Sequence, residues 1–139
     1  MKHIRFPVRV YWEDTDAGGI VYHANYLRFM ERARSDMLRR IGFGQNEQRG
    51  REDGVLFVVA SLNITYHRGA VLDDDLEVIT SIEKLGHASM IFEQKILRGE
   101  EPIATGKVRV GVISAKSYAP TPLPDDLYET IKAFMSEDA

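Results

Sequence analysis

Residues Asp14–Ile41 read DTDAGGIVYHANYLRFMERARSDMLRRI, and the reading of this stretch decides the fold. From Tyr26 to Ile41 the apolar residues Leu27, Met30, Ala33, Met37, Leu38 and Ile41 keep to the spacing of one helix face. Arg28, Glu31, Arg32, Ser35 and Arg39 fill the other side. Asn25 stands near the start as a cap, and Gly42 sits where a helix-ending glycine belongs. The pattern predicts about four turns of amphipathic helix, apolar enough on one face to need a sheet against it.

On the N-terminal side, Arg5–Trp12 (RFPVRVYW) alternates Arg5 and Arg9 with Phe6, Val8 and Val10, which predicts a strand. It runs into Glu13-Asp14-Thr15-Asp16 and then Ala17-Gly18-Gly19, which is turn chemistry. On the C-terminal side a polar loop, Gly42–Gly54, precedes a change of period from helical to alternating. Val55–Tyr66 reads as a strand buried at first and then alternating through Leu62, Ile64 and Tyr66. Leu76, Val78, Thr80 and Ile82 alternate next, then Met90, Phe92 and Ile96, then Val108, Val110 and Val112. The breaks fall at Arg68-Gly69, Asp73–Asp75, Lys84–His87 and Gly99–Pro102. Pro120, Pro122 and Pro124 stop the last strand, and Leu127, Ile131 and Phe134 predict a short terminal helix.

The order strand, long helix, four strands, short helix predicts an α+β fold. One five-stranded antiparallel sheet, with consecutive strands paired, carries the long helix on a single face. The other face and the sheet edges stay uncovered in one copy, so a homo-oligomer is expected. At 139 residues the chain is expected to form one domain, 1–139.

Composition removes whole classes of function. Eighteen Lys and Arg against 21 Asp and Glu leave a net charge of -3, with no basic field for nucleic acid or anionic lipid. The absence of cysteine excludes disulfides, thiolate metal sites and a cysteine nucleophile. The four histidines, at 3, 23, 67 and 87, come no closer than twenty residues, so no local metal site is predicted. The longest apolar run, Val55–Ala60, is far short of the roughly 20 residues that span a bilayer. The segment MKHIRFPVRV lacks the apolar core of a secretory signal, and a cytoplasmic location is expected. G-x-S-x-G, G-x-x-x-x-G-K-[ST] and H-E-x-x-H motifs are absent.

The chemistry that remains lies at Asp14–Tyr26, DTDAGGIVYHANY. It combines a carboxylate, a glycine turn and a helix N-terminus, whose free N–H groups and partial positive charge suit a developing oxyanion. A carboxylate facing that point can attack a carbonyl or activate water, but Asp14 and Asp16 also read simply as turn residues.

The literal residues go further. Arg9-Val10, Thr15-Asp16, Gly19-Ile20-Val21, His23 and Tyr26, at these spacings, match the 4-hydroxybenzoyl-CoA thioesterase signature at every defined position. With ERARSDMLRRIGF following, and Phe57-Val58-Val59, Leu72-Asp73-Asp74 and Leu123-Pro124 beyond, the chain resembles the YbgC branch. Members of that branch are acyl-CoA thioesterases associated with the Tol-Pal system. The resemblance implies the hotdog fold, a long helix wrapped by a five-stranded antiparallel sheet, assembled as a dimer or a homotetrameric dimer of dimers. It implies an acyl-CoA substrate, with coenzyme A a part of that substrate, and no separate cofactor or metal.

By the same resemblance Asp16 is the catalytic carboxylate, as nucleophile or as general base; as neighbouring charges, Glu13 and Asp14 are expected to bear on it if they lie close. The His23 backbone N–H is the oxyanion donor, and its imidazole has a role left open. Gly18 and Gly19 shape the turn and let substrate approach. Tyr26 and Asn25 complete the signature, by substrate contact or by packing, and Glu31 reaches toward the site or stays a solvated charge. Val58-Val59-Ala60-Ser61 lines the acyl tunnel across the dimer interface. Lys84, His87 and Ser89 are expected to meet the coenzyme A phosphates, with Arg68, Arg98, Arg109 and Lys116 as further candidates. The alternative function is an acyl or acyl-carrier-protein binding module, for which Arg28, Arg32, Arg39 and Arg40 offer a basic patch. A dehydratase or hydratase of this fold is the less favoured enzyme reading, since no H-F-P-like loop is present.

Overall fold

The long helix, α1 (His23–Ile41), buries Tyr26, Phe29, Met30, Ala33, Met37 and Leu38, while Leu27 and Ile41 are only half-buried. Met30, Ala33, Met37 and Leu38 are thus buried as expected, while Tyr26 and Phe29 take the place of Leu27 and Ile41. Gly42 closes the helix in the left-handed conformation, with φ 95°. The N-cap is Tyr22, not Asn25, which lies buried inside the first turn. The computed structural model describes residues 2–137, apart from the side chains of residues 45 and 46, so the ends of the expected span 1–139 lie outside it.

Five strands follow the predicted periods: β1 (Ile4–Arg9), β2 (Val55–Tyr66), β3 (Asp75–Leu85), β4 (Ser89–Arg98) and β5 (Glu101–Ser114). β1 ends three residues earlier than expected, because Trp12–Asp14 coils into a single 3-10 turn. β5 begins inside the predicted break and admits Pro102 opposite Leu97, where the register shifts and the lost N–H is tolerated. The loop Gly42–Gly54 contains a short helix, α2 (Gln45–Arg49), and α3 (Asp125–Met135) is the terminal helix.

The sheet is antiparallel throughout, in the order β1-β3-β4-β5-β2. The expectation that consecutive strands pair holds for β3–β4–β5 and fails for β2. Residues 67–74 carry the chain from β2, at one edge, across to β3 beside β1. Four strands with tight connections must neighbour one another, but an eight-residue connection frees the chain to cross.

On the α1 face, Val78, Ile82, Met90, Phe92, Ile96, Val108 and Val110 are buried. Two apolar clusters meet at Thr80 and Gln94, both fully buried. Gln94 Nε2 donates to the Met30 carbonyl and to Thr80 Oγ1, each at 2.9 Å, and its Oε1 accepts from Arg34 at 3.0 Å. This satisfied polar row ties α1 to the sheet at one register. Only the first part of β2 is buried as predicted. Val58 and Val59 are exposed, at 43% and 49%, because β2 is an edge strand that α1 does not cover.

Candidate active site

The loop between β1 and α1 is organised by Asp14, which is only 5% exposed. Its Oδ2 accepts the Tyr11 N–H at 2.8 Å and its Oδ1 accepts the Asn25 side-chain amide at 2.6 Å. Its carbonyl accepts the Tyr22 N–H at 2.9 Å. Asn25 in turn accepts from Arg28 at 2.7 Å. One buried carboxylate therefore joins the entry of the loop to the first turn of the helix. Hydrogen bonds to charged groups of this kind contribute about 1.5–3 kcal/mol each.

Asp16, two residues on, is exposed. The Gly19 N–H donates to the Asp16 carbonyl at 3.0 Å, and the Asp16 N–H donates to the Ile20 carbonyl at 2.9 Å, closing a tight turn. Gly19 takes φ 84°, a conformation that glycine adopts without strain. The Gly18 N–H donates to Asp16 Oδ1 at 2.8 Å and so fixes the direction of the carboxylate. A side chain at Gly18 would bring its Cβ to 3.2 Å from that oxygen. Asp16 Oδ2 has no hydrogen-bond partner among the described residues.

The head of α1 is pinned from the other side by Ala70. The Ala70 carbonyl accepts the Val21 N–H at 2.9 Å, and its N–H donates to the Tyr26 hydroxyl at 3.0 Å. Burial pushes the Tyr26 phenol above its ordinary pKa, so it remains a neutral structural pin. His23, the first residue of α1, is exposed. Among the described residues its backbone N–H and that of Ala24 meet no acceptor, whereas the Asn25 N–H reaches the Tyr22 carbonyl at 2.8 Å. Two unpaired donors at the positive end of a five-turn helix thus follow directly on the loop carrying Asp16.

Tyr66, which the sequence reading treated only as a strand position, comes from the far end of β2 to this place. Its hydroxyl donates to the His23 carbonyl at 3.0 Å, and its ring lies 5.5 Å from that of Tyr26 and 6.5 Å from that of His23. Ile20, His23, Tyr26, Tyr66, His67 and Arg68 line a groove of about 290 Å³. No local motif could announce Tyr66 or His67, since the contact with His23 spans 43 residues of chain. Nearby, Arg98 binds Asp74 and Glu101, each at 2.6 Å, and Arg68 binds Glu101 at 3.0 Å. Burial pushes Asp74 up, but the Val71 N–H and Arg98 outweigh it and hold the carboxyl below its usual range. The Arg98 hydrogen bond likewise keeps Glu101 low.

The remaining sequence candidates lie elsewhere. β5 pairs with Tyr66 at Ala104 and with Ser89 at Gly111, seven residues and about 23 Å farther along. Lys84, His87 and Ser89 gather there, around the turn closed by Gly86 N–H to the Ser89 carbonyl at 2.9 Å. Within one subunit they do not meet Asp16. The His87 ring stacks on Tyr128 at 4.0 Å. Val59, Ala60 and Ser61 lie midway along the β2 edge, where the register shifts between Val59 and Ser61 and leaves Ala60 as a bulge. Glu31 is exposed and accepts from Ser35 at 3.2 Å. Among the described residues no group of three or more His, Asp or Glu gathers as metal ligands.

Residues 10–131 match the thioesterase-like superfamily. The chain belongs to that superfamily. Within it, the chain is 42% identical over 122 residues to the acyl-CoA thioesterase YbgC of Haemophilus influenzae, covering 88% of this chain and 89% of that one. It is 41% identical over 129 residues to the acyl-CoA thioester hydrolase YbgC of Escherichia coli, covering 92% and 95%. A probable thioesterase from Bartonella henselae superimposes with a TM-score of 0.84 at 39% identity, over 88% of this chain and 100% of that one. The hotdog architecture of this superfamily, with its long helix against a five-stranded antiparallel sheet, is the one described above.

Proposed function

We propose that this thioesterase hydrolyses the thioester of an acyl-CoA, with Asp16 as the reacting carboxylate and the His23 N–H as the oxyanion donor. One observation carries the reading: an exposed carboxylate, aimed by the Gly18 N–H, in the turn that leads to a helix head with unpaired donors. Such a donor contributes on the order of 10²–10³ in rate to a developing oxyanion.

Two routes use the same atoms. In one, an Asp16 oxygen attacks the carbonyl carbon, the C–S bond breaks, and coenzyme A leaves as thiolate to be protonated by water. Water then opens the mixed anhydride and restores the carboxylate. In the other, Asp16 takes a proton from water, hydroxide adds to the carbonyl, and the tetrahedral intermediate expels the thiolate, which takes that proton back and restores the carboxylate. Label appearing in the Asp16 carboxylate after a single turnover in labelled water would select the first. Neither route calls for a cofactor or metal beyond the coenzyme A of the substrate.

Arg68, with one ion-pair partner and a side chain 68% exposed at the groove, is the cation best placed for the coenzyme A phosphates within the same subunit. Lys84, His87 and Ser89 belong to this reading only if a second copy brings them to the groove. The exposed apolar residues Val58, Val59 and Leu62 on an edge strand favour such a copy, as a dimer or a dimer of dimers with Val59, Ala60 and Ser61 along the acyl path. Light scattering of the purified chain tests the assembly. No described helix is long and apolar enough to cross a membrane; a cytoplasmic enzyme associated with the Tol-Pal system is the setting that accompanies this reading.

The test is hydrolysis of an acyl-CoA series of increasing chain length, with 4-hydroxybenzoyl- and benzoyl-CoA beside it, by the wild type and Asp16→Asn. Turnover by the wild type and its loss in the variant are expected. Equal rates would remove Asp16 from the mechanism. The exposed Arg28, Arg32, Arg39 and Arg40 on α1 favour a second reading, in which an acyl carrier protein presents the acyl group. Absence of binding to acyl carrier protein at low salt would eliminate it.

A further inference from the structure

Among the described residues the hydroxyl of Tyr66 has a single partner, the carbonyl of His23, and that carbonyl belongs to the same peptide group as the Ala24 N–H. A donor on the carbonyl oxygen draws electron density from the amide and strengthens its N–H as a donor on the opposite side. The Ala24 N–H is one of the two unpaired donors at the head of α1, and the His23 N–H beside it is the other. Tyr66 reaches this peptide from β2, while Asp14 and Ala70 hold the same turn from the loop and from the segment before β3. Its ring lies against Tyr26 and faces the groove beside His23.

We propose that Tyr66 is a positioning residue for thioester hydrolysis: its hydroxyl orients and polarises the His23–Ala24 peptide, so that the Ala24 N–H joins the His23 N–H in holding the oxyanion. The proposal rests on the reading of Asp16 and His23 given above. It does not make Tyr66 a proton donor to substrate, since its proton is committed to the His23 carbonyl. Because the effect is felt as charge develops on the carbonyl oxygen, it acts on the transition state more than on bound substrate.

Tyr66→Phe removes the hydroxyl and keeps the ring. With the acyl-CoA that the wild type hydrolyses fastest, kcat is expected to fall about three- to tenfold, the span of one neutral hydrogen bond, with KM unchanged within twofold. A trifluoromethyl ketone analogue of that acyl-CoA, whose hydrate mimics the tetrahedral intermediate, is expected to bind more weakly by the same factor. Wild-type kcat in the variant would overturn the proposal. So would a parallel change in kcat and KM with unaltered analogue affinity, which is the mark of a merely structural tyrosine. Asp16→Asn, assayed alongside, separates the two levels: full activity there overturns the site itself, whatever Tyr66→Phe does.

Discussion

The loop before α1 and the turn after β3 both hold polar residues suited to chemistry, yet they are built in opposite ways. In the loop, Asp14 is buried with both carboxylate oxygens bonded, and its hydrogen bonds hold the frame in which Asp16 stands exposed with one oxygen free. In the turn, Lys84 and His87 are exposed, and the Asp125 carboxylate lies 3.9 Å from His87 Nε2. A rigid frame costs nothing further at the moment of reaction, so catalytic groups belong in the first kind of place. Exposed polar groups suit the second kind, where a phosphate needs attraction more than exact geometry.

The contrast breaks most sharply between the two aspartates of the loop. Asp16→Asn is expected to lower kcat about 10²- to 10⁴-fold while leaving the urea midpoint near that of the wild type. Asp14→Ala should do the reverse first. It strands the Asn25 amide and the Tyr11 N–H, so unfolding free energy falls by about 2–3 kcal/mol, read from the same urea curves. If Asp14→Ala were as stable as the wild type, the framing role would be withdrawn.

Gly19→Ala isolates the backbone contribution. A Cβ there meets nothing within 4 Å, so the expected loss of about 1–2 kcal/mol comes from φ 84° alone. For the turn after β3, Lys84→Ala should raise KM for acyl-CoA a few-fold at low salt with kcat and stability unmoved, and His87→Ala should do the same to KM while also losing the stack on Tyr128. An effect on kcat would bring this turn into the catalytic frame.

The smallest effect concerns the ion pairs beside the groove. Asp74 and Glu101 have depressed folded-state pKa values, so their contribution is complete above the ordinary carboxylate range and fades as pH falls through the folded values. Stability measured from pH 7 downward should therefore decline less steeply in Asp74→Asn than in the wild type. Identical slopes would mean that Arg98 adds nothing beyond solvent screening.

Much of this was legible in one dimension. The α1 face, the alternation at Leu76–Ile82 and Val108–Val112, the ending at Gly42 and the acidic glycine turn all rest on interactions within a few residues. Those interactions leave periods and turn residues in the sequence. The signature from Arg9 to Tyr26 is legible for the same reason, because its residues lie within one strand, one short loop and the head of α1. Asn25 shows where this stops. Its type suits a cap, but its amide is claimed by Asp14, eleven residues away, once the loop folds over the helix.

By itself, then, the sequence determined a helix-and-sheet protein whose signature residues mark it as a thioesterase relative, with an acidic glycine turn before the long helix. Local propensity and the side-chain period are sufficient for the elements, and the literal residues from Arg9 to Tyr26 for the resemblance. Only the tertiary structure decided that β2 lies at the edge against β5, that Tyr66 reaches His23, and that Lys84, His87 and Ser89 stand away from Asp16 in one subunit. Strand order and cross-sheet contacts depend on which faces are buried together, and residues paired across 40 or more positions leave no periodic trace in the chain.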